Sequence, residues 1–177
     1  MNMQIKSDQK IFVAGSNGMV GKSICREILI KYPNIELLTP NRKELNLTNF
    51  EDVNLWFKKN KPSIVIISAA RVGGIFANSK KPYDFILENL KIQNNIIELS
   101  WKYNVKRLLF LGSSCIYPKF SKQPIKEDSL LQGELEPTNE FYALAKIAGI
   151  KLCESLRKQH SFDSICLMPC NLYGIGD

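Results

Sequence analysis

Short apolar runs and longer segments of helical periodicity alternate along the chain. The short, mostly apolar runs lie at residues 11–14, 35–38, 63–67, 108–111 and 164–168. Runs of this length are typical of strands that are covered on both faces of a sheet. Apolar residues spaced three and four positions apart occupy residues 19–31, 49–59, 82–103 and 139–159, which predicts helices. The alternation predicts an α/β fold, a doubly wound parallel sheet of five strands joined by right-handed helical crossovers.

Length and composition limit the possible classes of protein. The chain has 177 residues, of which 45% are hydrophobic and 23% charged, as expected of one globular domain spanning residues 1–177. No stretch approaches the roughly 20 apolar residues of a membrane span, so no membrane partner is predicted. Residues 1–10 lack the apolar core of a secretory leader. The net charge of +7 comes without an aromatic and basic recognition motif, so no nucleic-acid partner is predicted.

Cysteine and histidine usage bears on metal and imidazole chemistry. The five cysteines are scattered and form no C-x-x-C pair, which disfavours a zinc site and predicts no metal. An odd, scattered set is typical of free thiols in a reducing compartment, so the expected location is the cytoplasm. The single histidine, His160, excludes any site that needs two imidazoles.

A glycine-rich segment follows the first predicted strand and precedes the first predicted helix. It consists of Gly15, Ser16, Asn17, Gly18, Met19, Val20 and Gly21. Glycines let the backbone turn tightly and approach a pyrophosphate, while the helix N-terminus supplies free N–H groups. The spacing G-x-x-G-x-x-G, placed between a strand and a helix, therefore predicts a dinucleotide site. The alternative is a glycine-rich turn that binds nothing.

The residues after the second predicted strand bear on the choice of cofactor. An NAD site carries Asp or Glu here for the ribose hydroxyls, whereas this chain has no acid at residues 39–43, before Glu44. The guanidinium of Arg42 suits a 2′-phosphate, which predicts NADP(H) rather than NAD(H). The alternative is that Arg42 is a solvated surface charge.

Reactive side chains follow the fourth predicted strand and open the last predicted helix. Ser113 and Cys115 lie directly after the strand, whereas Tyr142 and Lys146 are four positions apart on one helical face. A nearby ammonium stabilises phenolate, so we expect Lys146 to lower the pKa of Tyr142 from about 10 towards neutrality. Such a phenol donates a proton to a carbonyl oxygen as a hydride arrives, and Ser113 could hold that oxygen. The alternative is an ordinary surface Tyr–Lys pair.

Six segments, taken together, resemble those of a known family. They are the glycine-rich segment and residues 72–75 (VGGI), 111–118 (LGSSCIYP), 136–140 (EPTNE), 142–151 (YALAKIAGIK) and 171–174 (NLYG). The family is that of the extended short-chain dehydrogenase/reductases, which implies a Rossmann-like NAD(P)-binding fold. The run LGSSCIYP, followed by EPTNE and YALAKIAGIK, resembles in particular the NADPH-dependent epimerase/reductases that act on GDP-4-keto-6-deoxy-mannose. The resemblance therefore implies a GDP-sugar substrate.

The resemblance implies a role for each candidate residue. Tyr142 is the expected proton donor to the C4 oxygen, and Lys146 supports it and contacts the nicotinamide ribose. Ser113 orients the carbonyl, and Cys115 is the expected base that removes the protons at C3 and C5, for which it needs thiolate character. The expected NADP(H) contacts are Gly15, Ser16, Asn17, Gly18, Met19, Val20, Gly21, Arg42, Ala69, Ala70, Leu111, Gly112, Ser113, Ser114, Lys146, Pro169, Cys170, Asn171 and Leu172.

The resemblance also implies that the whole enzyme is longer than this chain. Family members continue past the NLYG segment with further strands, a histidine general acid and a small domain that holds the GDP-sugar. We therefore expect residues 1–177 to be the NADP-binding part, without the substrate domain, of an enzyme whose full-length form is a homodimer. We expect little reductase activity from this chain alone. The alternatives are a non-catalytic nucleotide-binding remnant and another NDP-sugar epimerase or dehydratase.

Overall fold

The computed structural model of the chain describes residue 5 and residues 9–176. The elements in chain order are β1 (Lys10–Ala14), α1 (Met19–Lys31), β2 (Glu36–Leu38), α2 (Phe50–Asn60), β3 (Ile64–Ile67), α3 (Ile75–Lys80), α4 (Pro82–Lys102), β4 (Arg107–Leu111), α5 (Glu140–His160) and β5 (Ser164–Leu167). Two short 3-10 helices, Ser114–Ile116 and Glu127–Ser129, lie between β4 and α5. All nine predicted elements are present, with ends within one residue of the predicted ones. The short helix α3 was not predicted, because six residues are too few to show a helical period.

The five strands form one parallel sheet in the order β2-β1-β3-β4-β5, which confirms the predicted doubly wound architecture. β1 pairs with β2 on one side, where Phe12 lies opposite Leu38, and with β3 on the other, where Phe12 lies opposite Val65. The strand order thus reverses direction beside β1. In open parallel sheets, ligands bind beyond the carboxyl ends of the strands at such a point.

The two faces of the sheet bury separate apolar clusters. The larger one contains Phe12, Phe57 and Phe110 and joins the sheet to α2, α4 and α5. The smaller one, with Ile11 and Val13, packs against α1. Successive residues of β1 therefore point into different clusters. This explains why the strands are apolar at consecutive rather than alternate positions once their first residues are passed.

Helices α4 and α5 approach each other closely beside the end of β4. The amide of Gln93, on α4, donates to the carbonyl oxygen of Ala145, on α5, at 2.6 Å. A Cβ on Gly149 would lie 2.7 Å from Phe110 Cζ and 2.9 Å from Gln93 Oε1. The absence of a side chain at residue 149 therefore lets α5 sit tightly on α4 and β4, and this fixes the position of the YALAKIAGIK segment.

None of the helices in the described residues combines the length and the apolarity that a bilayer span requires. The predicted lack of a secretory leader concerns residues 1–10, most of which lie outside the described residues.

Candidate active site

The glycine-rich segment requires glycine at two positions. Gly15 has a left-handed backbone (φ +84°), and a Cβ there would lie 2.6 Å from the backbone nitrogen of Ala69. A Cβ on Gly21, inside α1, would overlap the carbonyl group of Gly15 and lie 2.8 Å from Ser16 Cα. A side chain at either position would therefore displace backbone rather than a flexible neighbour. These close approaches hold the first turn of α1 against the ends of β1 and β3.

A cleft of about 760 Å³ opens over this loop at the carboxyl edge of the sheet. The complete glycine-rich segment lines it, together with residues that follow β2 and β3 and two side chains of α4. The lining residues outside the glycine-rich segment are 40–42, 45–48, 68–72, Glu88, Ile92 and Gly176. The predicted cofactor residues Arg42, Ala69 and Ala70 thus lie in the same cleft as the glycine-rich segment.

The polar groups of this cleft fit the phosphates of a dinucleotide. The first turn of α1 contains no acidic side chain, so its free N–H groups and partial positive charge are not neutralised by one. The Ser16 hydroxyl is buried and has no hydrogen-bond partner among the described residues. A buried hydroxyl beside a helix N-terminus suits a phosphate oxygen, which would accept a hydrogen bond from it. The chain therefore presents a backbone and hydroxyl cradle for a pyrophosphate.

Arg42 extends from the turn that follows β2. It is exposed and lines the cleft. Among the ion pairs found within residues 9–176, none involves Arg42, so its guanidinium is available to an anionic ligand. The only acid nearby in sequence, Glu44, accepts a hydrogen bond from the backbone N–H of Asn41 at 2.8 Å.

The four predicted catalytic side chains converge where β4 ends beside α5. Lys146 is 3% exposed, and its Nζ donates to the carbonyl oxygen of Leu111, the last residue of β4, at 2.7 Å. The same Nζ lies 5.8 Å from the ring centroid of Tyr142. Ser113 lies beside both Tyr142 and Cys115, and its hydroxyl acts to lower the pKa of each. Ser113 also accepts from the backbone N–H of Cys115 at 3.4 Å, which caps the 3-10 helix Ser114–Ile116.

Burial dominates the electrostatics of this cluster. It raises the pKa of Tyr142 to about 12, with a further rise from the charge of Cys115 and a partial offset from the Ser113 hydrogen bond. Burial lowers the pKa of Lys146 to about 8, against the charge of Cys115. Burial likewise raises the pKa of Cys115, although Ser113 and the Lys146 charge act in the opposite direction. The prediction that Lys146 lowers the Tyr142 pKa towards neutrality is therefore wrong, because desolvation of the phenol and the charge of Cys115 both raise this pKa, and Lys146 is not among the groups that lower it.

The comparison with protein families identifies the family of this chain. The NAD dependent epimerase/dehydratase family matches residues 11–177. The chain belongs to the NAD dependent epimerase/dehydratase family. A curated GDP-L-fucose synthase from Sinorhizobium fredii is 51% identical over 177 residues, which are 100% of this chain and 56% of the relative. The chain thus spans about half the length of the curated relatives it matches.

Solved structures of epimerase/dehydratase relatives superpose closely on this chain. A GDP-mannoheptose C4 reductase from Campylobacter jejuni with NADP bound has a TM-score of 0.92 at 38% identity, over 96% of this chain and 50% of the reductase. A GDP-L-fucose synthetase from Naegleria fowleri bound to NADP has a TM-score of 0.83 at 25% identity, over 99% of this chain and 54% of the synthetase. These likenesses confirm the predicted Rossmann-like, NAD(P)-binding fold.

The remaining predicted cofactor residues are not part of the lining of the cleft. Residues 111–114 connect β4 to the catalytic cluster, and Ser114 N–H donates to the carbonyl oxygen of Pro169 at 3.0 Å. Cys170 and Asn171 are exposed, and Leu172 is 48% exposed. This places the segment after β5 next to the catalytic cluster. Contact of residues 111–114, Lys146 and residues 169–172 with a cofactor stays a prediction.

Two buried polar side chains of α4 were not predicted by the sequence reasoning. Asn89, 2% exposed, accepts from the backbone N–H of Arg71 at 2.9 Å and donates to its carbonyl oxygen at 3.0 Å, which fixes the segment after β3. Gln93, also 2% exposed, binds Ala145. The available signal was their position, because Phe85, Asn89 and Gln93 follow one another at four-residue spacing on the buried face of the helix.

Arg71 is a further lining residue that the motifs did not indicate. Its guanidinium pairs with Glu88 and, at 3.2 Å, with Asp84. These two pairs hold the segment after β3 against α4 at the mouth of the cleft. Within residues 9–176, no group of three His, Cys, Asp or Glu side chains is arranged to hold a metal ion.

Proposed function

We propose that this chain is the NADP-binding part of an NADPH-dependent epimerase/reductase that converts GDP-4-keto-6-deoxy-D-mannose to GDP-L-fucose. The observation that carries the proposal is the convergence of Ser113, Cys115, Tyr142 and Lys146 beside the carboxyl end of β4. A proton donor and a potential carbon base lie together there, next to a dinucleotide cleft. The combination suits a reaction that both removes protons from carbon and reduces a ketone. The S. fredii relative named GDP-L-fucose synthase supports the choice of substrate.

The proposed cofactor is NADP(H). The glycine-rich segment and Ser16 would hold its pyrophosphate, and Arg42 would face the 2′-phosphate at the far end of the cleft. The two NADP-bound relatives support this choice over NAD(H). When bound, the reduced cofactor would supply the hydride for C4 of the sugar.

Tyr142 would act as the proton donor during reduction. Its pKa of about 12 keeps the phenol protonated at neutral pH, so it can donate a proton to the C4 oxygen as charge develops there. Ser113, whose hydroxyl acts on the pKa of Tyr142, would orient the same oxygen. Lys146 would place its positive charge under the phenol, where it stabilises the phenolate that remains after proton transfer.

Cys115 would act as the base at C3 and C5. Its pKa is raised by burial, so the thiol is protonated at rest and must lose its proton before it can accept one from carbon. The Lys146 ammonium and the Ser113 hydroxyl are the neighbouring groups that favour the thiolate. The protons that it would remove lie α to the C4 ketone, so the resulting carbanion is an enolate.

We place the protein in the cytoplasm, because its five cysteines are all free thiols. We propose that residues 1–177 contribute no substrate domain of their own and that the full-length enzyme is a homodimer that binds a GDP-sugar. A non-catalytic nucleotide-binding remnant is the second candidate function, which the cleft over the glycine-rich segment alone would support.

A fusion experiment tests the proposed function. The chain is joined to the part of the S. fredii relative that lies beyond the aligned region, and NADPH oxidation is measured with GDP-4-keto-6-deoxy-D-mannose. We expect turnover in the fusion, little turnover in the chain alone, no reduction in the Tyr142→Phe fusion and no epimerised product in the Cys115→Ser fusion.

The two candidate functions predict different results for this fusion. If the fusion folds and binds NADPH but does not turn over, the catalytic assignment is wrong and the remnant is favoured. Robust turnover by the chain alone, lost in Tyr142→Phe, would show instead that the proposed incompleteness is wrong.

A further inference from the structure

The turn after β2 is closed by three hydrogen bonds between side chains and backbone, in which Asn41 and Glu44 bind each other reciprocally. The side-chain oxygen of Asn41 accepts from the backbone N–H groups of Lys43, at 2.8 Å, and Glu44, at 3.2 Å. In return, the carboxylate of Glu44 accepts from the backbone N–H of Asn41 at 2.8 Å. This is the arrangement of a capping box, in which a residue and the third one after it bind each other's backbone. The backbone N–H of Leu45 completes the helical turn by donating to the Asn41 carbonyl oxygen at 3.0 Å.

The turn places a buried residue and a charged one on the cleft. Leu45 is 4% exposed and anchors the C-terminal side of the turn in the larger apolar cluster. Arg42 is the first residue inside the capping box and is exposed at the cleft. No ion pair within residues 9–176 restrains its guanidinium. The position of Arg42 therefore depends on the backbone of this turn.

Glu44 is consequently used in a different way from the acid of an NAD site. At the end of the second strand of such a site, a carboxylate binds the ribose hydroxyls and would repel a 2′-phosphate. Here the first carboxylate after β2 is turned onto the backbone of Asn41, and it is absent from the lining of the cleft, although Asn41, Arg42 and Leu45 are present.

We propose that Glu44 is a positioning residue for the adenosine 2′-phosphate of the cofactor, and that it favours NADP(H) over NAD(H) by closing the turn that carries Arg42. The inference rests on the proposed NADP(H) cofactor. Glu44 acts through Arg42 and touches no part of the ligand. An acid in the loop thus supports the binding of an anion, although its own charge opposes that binding.

The two effects of Glu44 have opposite signs, so substitutions separate them. Glu44→Ala removes both the charge and the capping acceptor, whereas Glu44→Gln removes the charge and keeps an oxygen that can accept from the Asn41 N–H. Coulomb repulsion alone predicts tighter binding of a 2′-phosphate in both variants. Positioning predicts weaker binding in Glu44→Ala and no loss in Glu44→Gln.

The test is calorimetric titration of the 177-residue chain with NADP⁺ and with NAD⁺. We expect Glu44→Ala to weaken NADP⁺ binding about fivefold, the size of a typical capping interaction, and to leave NAD⁺ binding within about twofold. Glu44→Gln retains the wild-type preference. The control Glu98→Ala removes an exposed acid from α4 and changes the net charge equally without touching the turn.

The dependence on Arg42 is tested in the same titrations. Arg42→Ala alone weakens NADP⁺ binding about tenfold or more, because it removes a charged hydrogen-bond donor. Adding Glu44→Ala to Arg42→Ala then has no further effect. If Glu44 only stabilised the fold, Glu44→Ala would weaken NADP⁺ and NAD⁺ binding equally. It would also weaken binding further when added to Arg42→Ala.

Each result of the titrations decides a different point. If wild type binds both nucleotides equally, the proposed NADP(H) cofactor is wrong, and this inference with it. Suppose that wild type prefers NADP⁺ and that Arg42→Ala abolishes this preference. If Glu44→Ala then leaves the preference unchanged, the NADP(H) assignment stands and only the proposed positioning role of Glu44 is wrong. The same holds if Glu44→Ala and Glu44→Gln both strengthen NADP⁺ binding.

Discussion

The dinucleotide cleft and the catalytic cluster lie at the same edge of the sheet but are built in different ways. The cleft is formed mainly by backbone, with glycines at close approaches and an exposed arginine. The cluster is formed by side chains, among which Lys146 is almost fully buried and the pKa values of Tyr142, Lys146 and Cys115 are shifted by burial. The backbone therefore defines the shape of the first region, whereas desolvation sets the pKa values in the second.

The largest expected effect comes from a single methyl group in the glycine-rich loop. In Gly21→Ala the new Cβ would overlap the Gly15 carbonyl, and neither backbone can move without disturbing β1. We expect the free energy of unfolding in urea to fall by about 4 kcal/mol, at the upper end for one substitution. The matched control is Gly74→Ala, whose Cβ would meet nothing within 4 Å. Equal losses in both variants would show that the replacement of glycine itself, and not the close approach to Gly15, explains the effect.

The next largest effect concerns Lys146 and pH. Its pKa of about 8 lies below the roughly 10.4 of an unfolded chain, so between these values the unfolded state binds more protons. The cost of burying the ammonium is fully present below pH 8 and is relieved as pH rises towards 10. Relative to Lys146→Met, wild type should therefore gain about 2 kcal/mol of stability between pH 7 and 9.5.

Urea denaturation of wild type and Lys146→Met at several pH values checks this expectation. The difference between the two proteins cancels the other groups that titrate in this range. A constant difference between pH 7 and 9.5 would mean that Lys146 keeps an ordinary pKa despite its burial.

The smallest expected effect is kinetic and concerns Cys115. Burial raises its pKa, and the Lys146 charge partly offsets the rise. Because the thiolate is the reactive form, Cys115 should be alkylated by iodoacetamide more slowly than the exposed Cys170. In Lys146→Met we expect a further slowing of about threefold at Cys115 and none at Cys170. Site-resolved mass spectrometry measures both rates in one sample, and faster alkylation of Cys115 in the variant would contradict this electrostatic assignment.

The amino-acid sequence was sufficient to predict the strands, the main helices and the glycine-rich segment. The apolar runs predicted all five strands, because strands covered on both faces tolerate few polar residues. The glycine-rich segment was also predictable, since its position between a strand and a helix limits its conformation. The motifs predicted Ser113, Cys115, Tyr142 and Lys146 as one group of catalytic residues, and their side chains lie close together in the structure.

What the sequence could not supply was the degree of burial. The spacing of Tyr142 and Lys146 showed that they are neighbours, but whether charge or desolvation sets the phenol pKa depends on the packing of α5 against α4 and β4. Asn89 and Gln93 gave no motif either, because their partners are backbone groups that are remote in sequence. The part of the site that arises from non-local packing therefore needed the structure.

The contact between the glycine-rich loop and β3 has a consequence for how the chain folds. The Ser68 hydroxyl donates to the Ala14 carbonyl oxygen at 2.7 Å, and Gly15 rests against Ala69, more than fifty residues away in sequence. A nascent segment that contains only β1, the loop and α1 thus lacks the surface that shapes its own turn. Because the shape of this loop depends on contacts with residues so distant in sequence, we expect the loop to reach its final conformation only after β3 has paired with β1, so that a ligand of the loop would stabilise the folded sheet rather than start its folding.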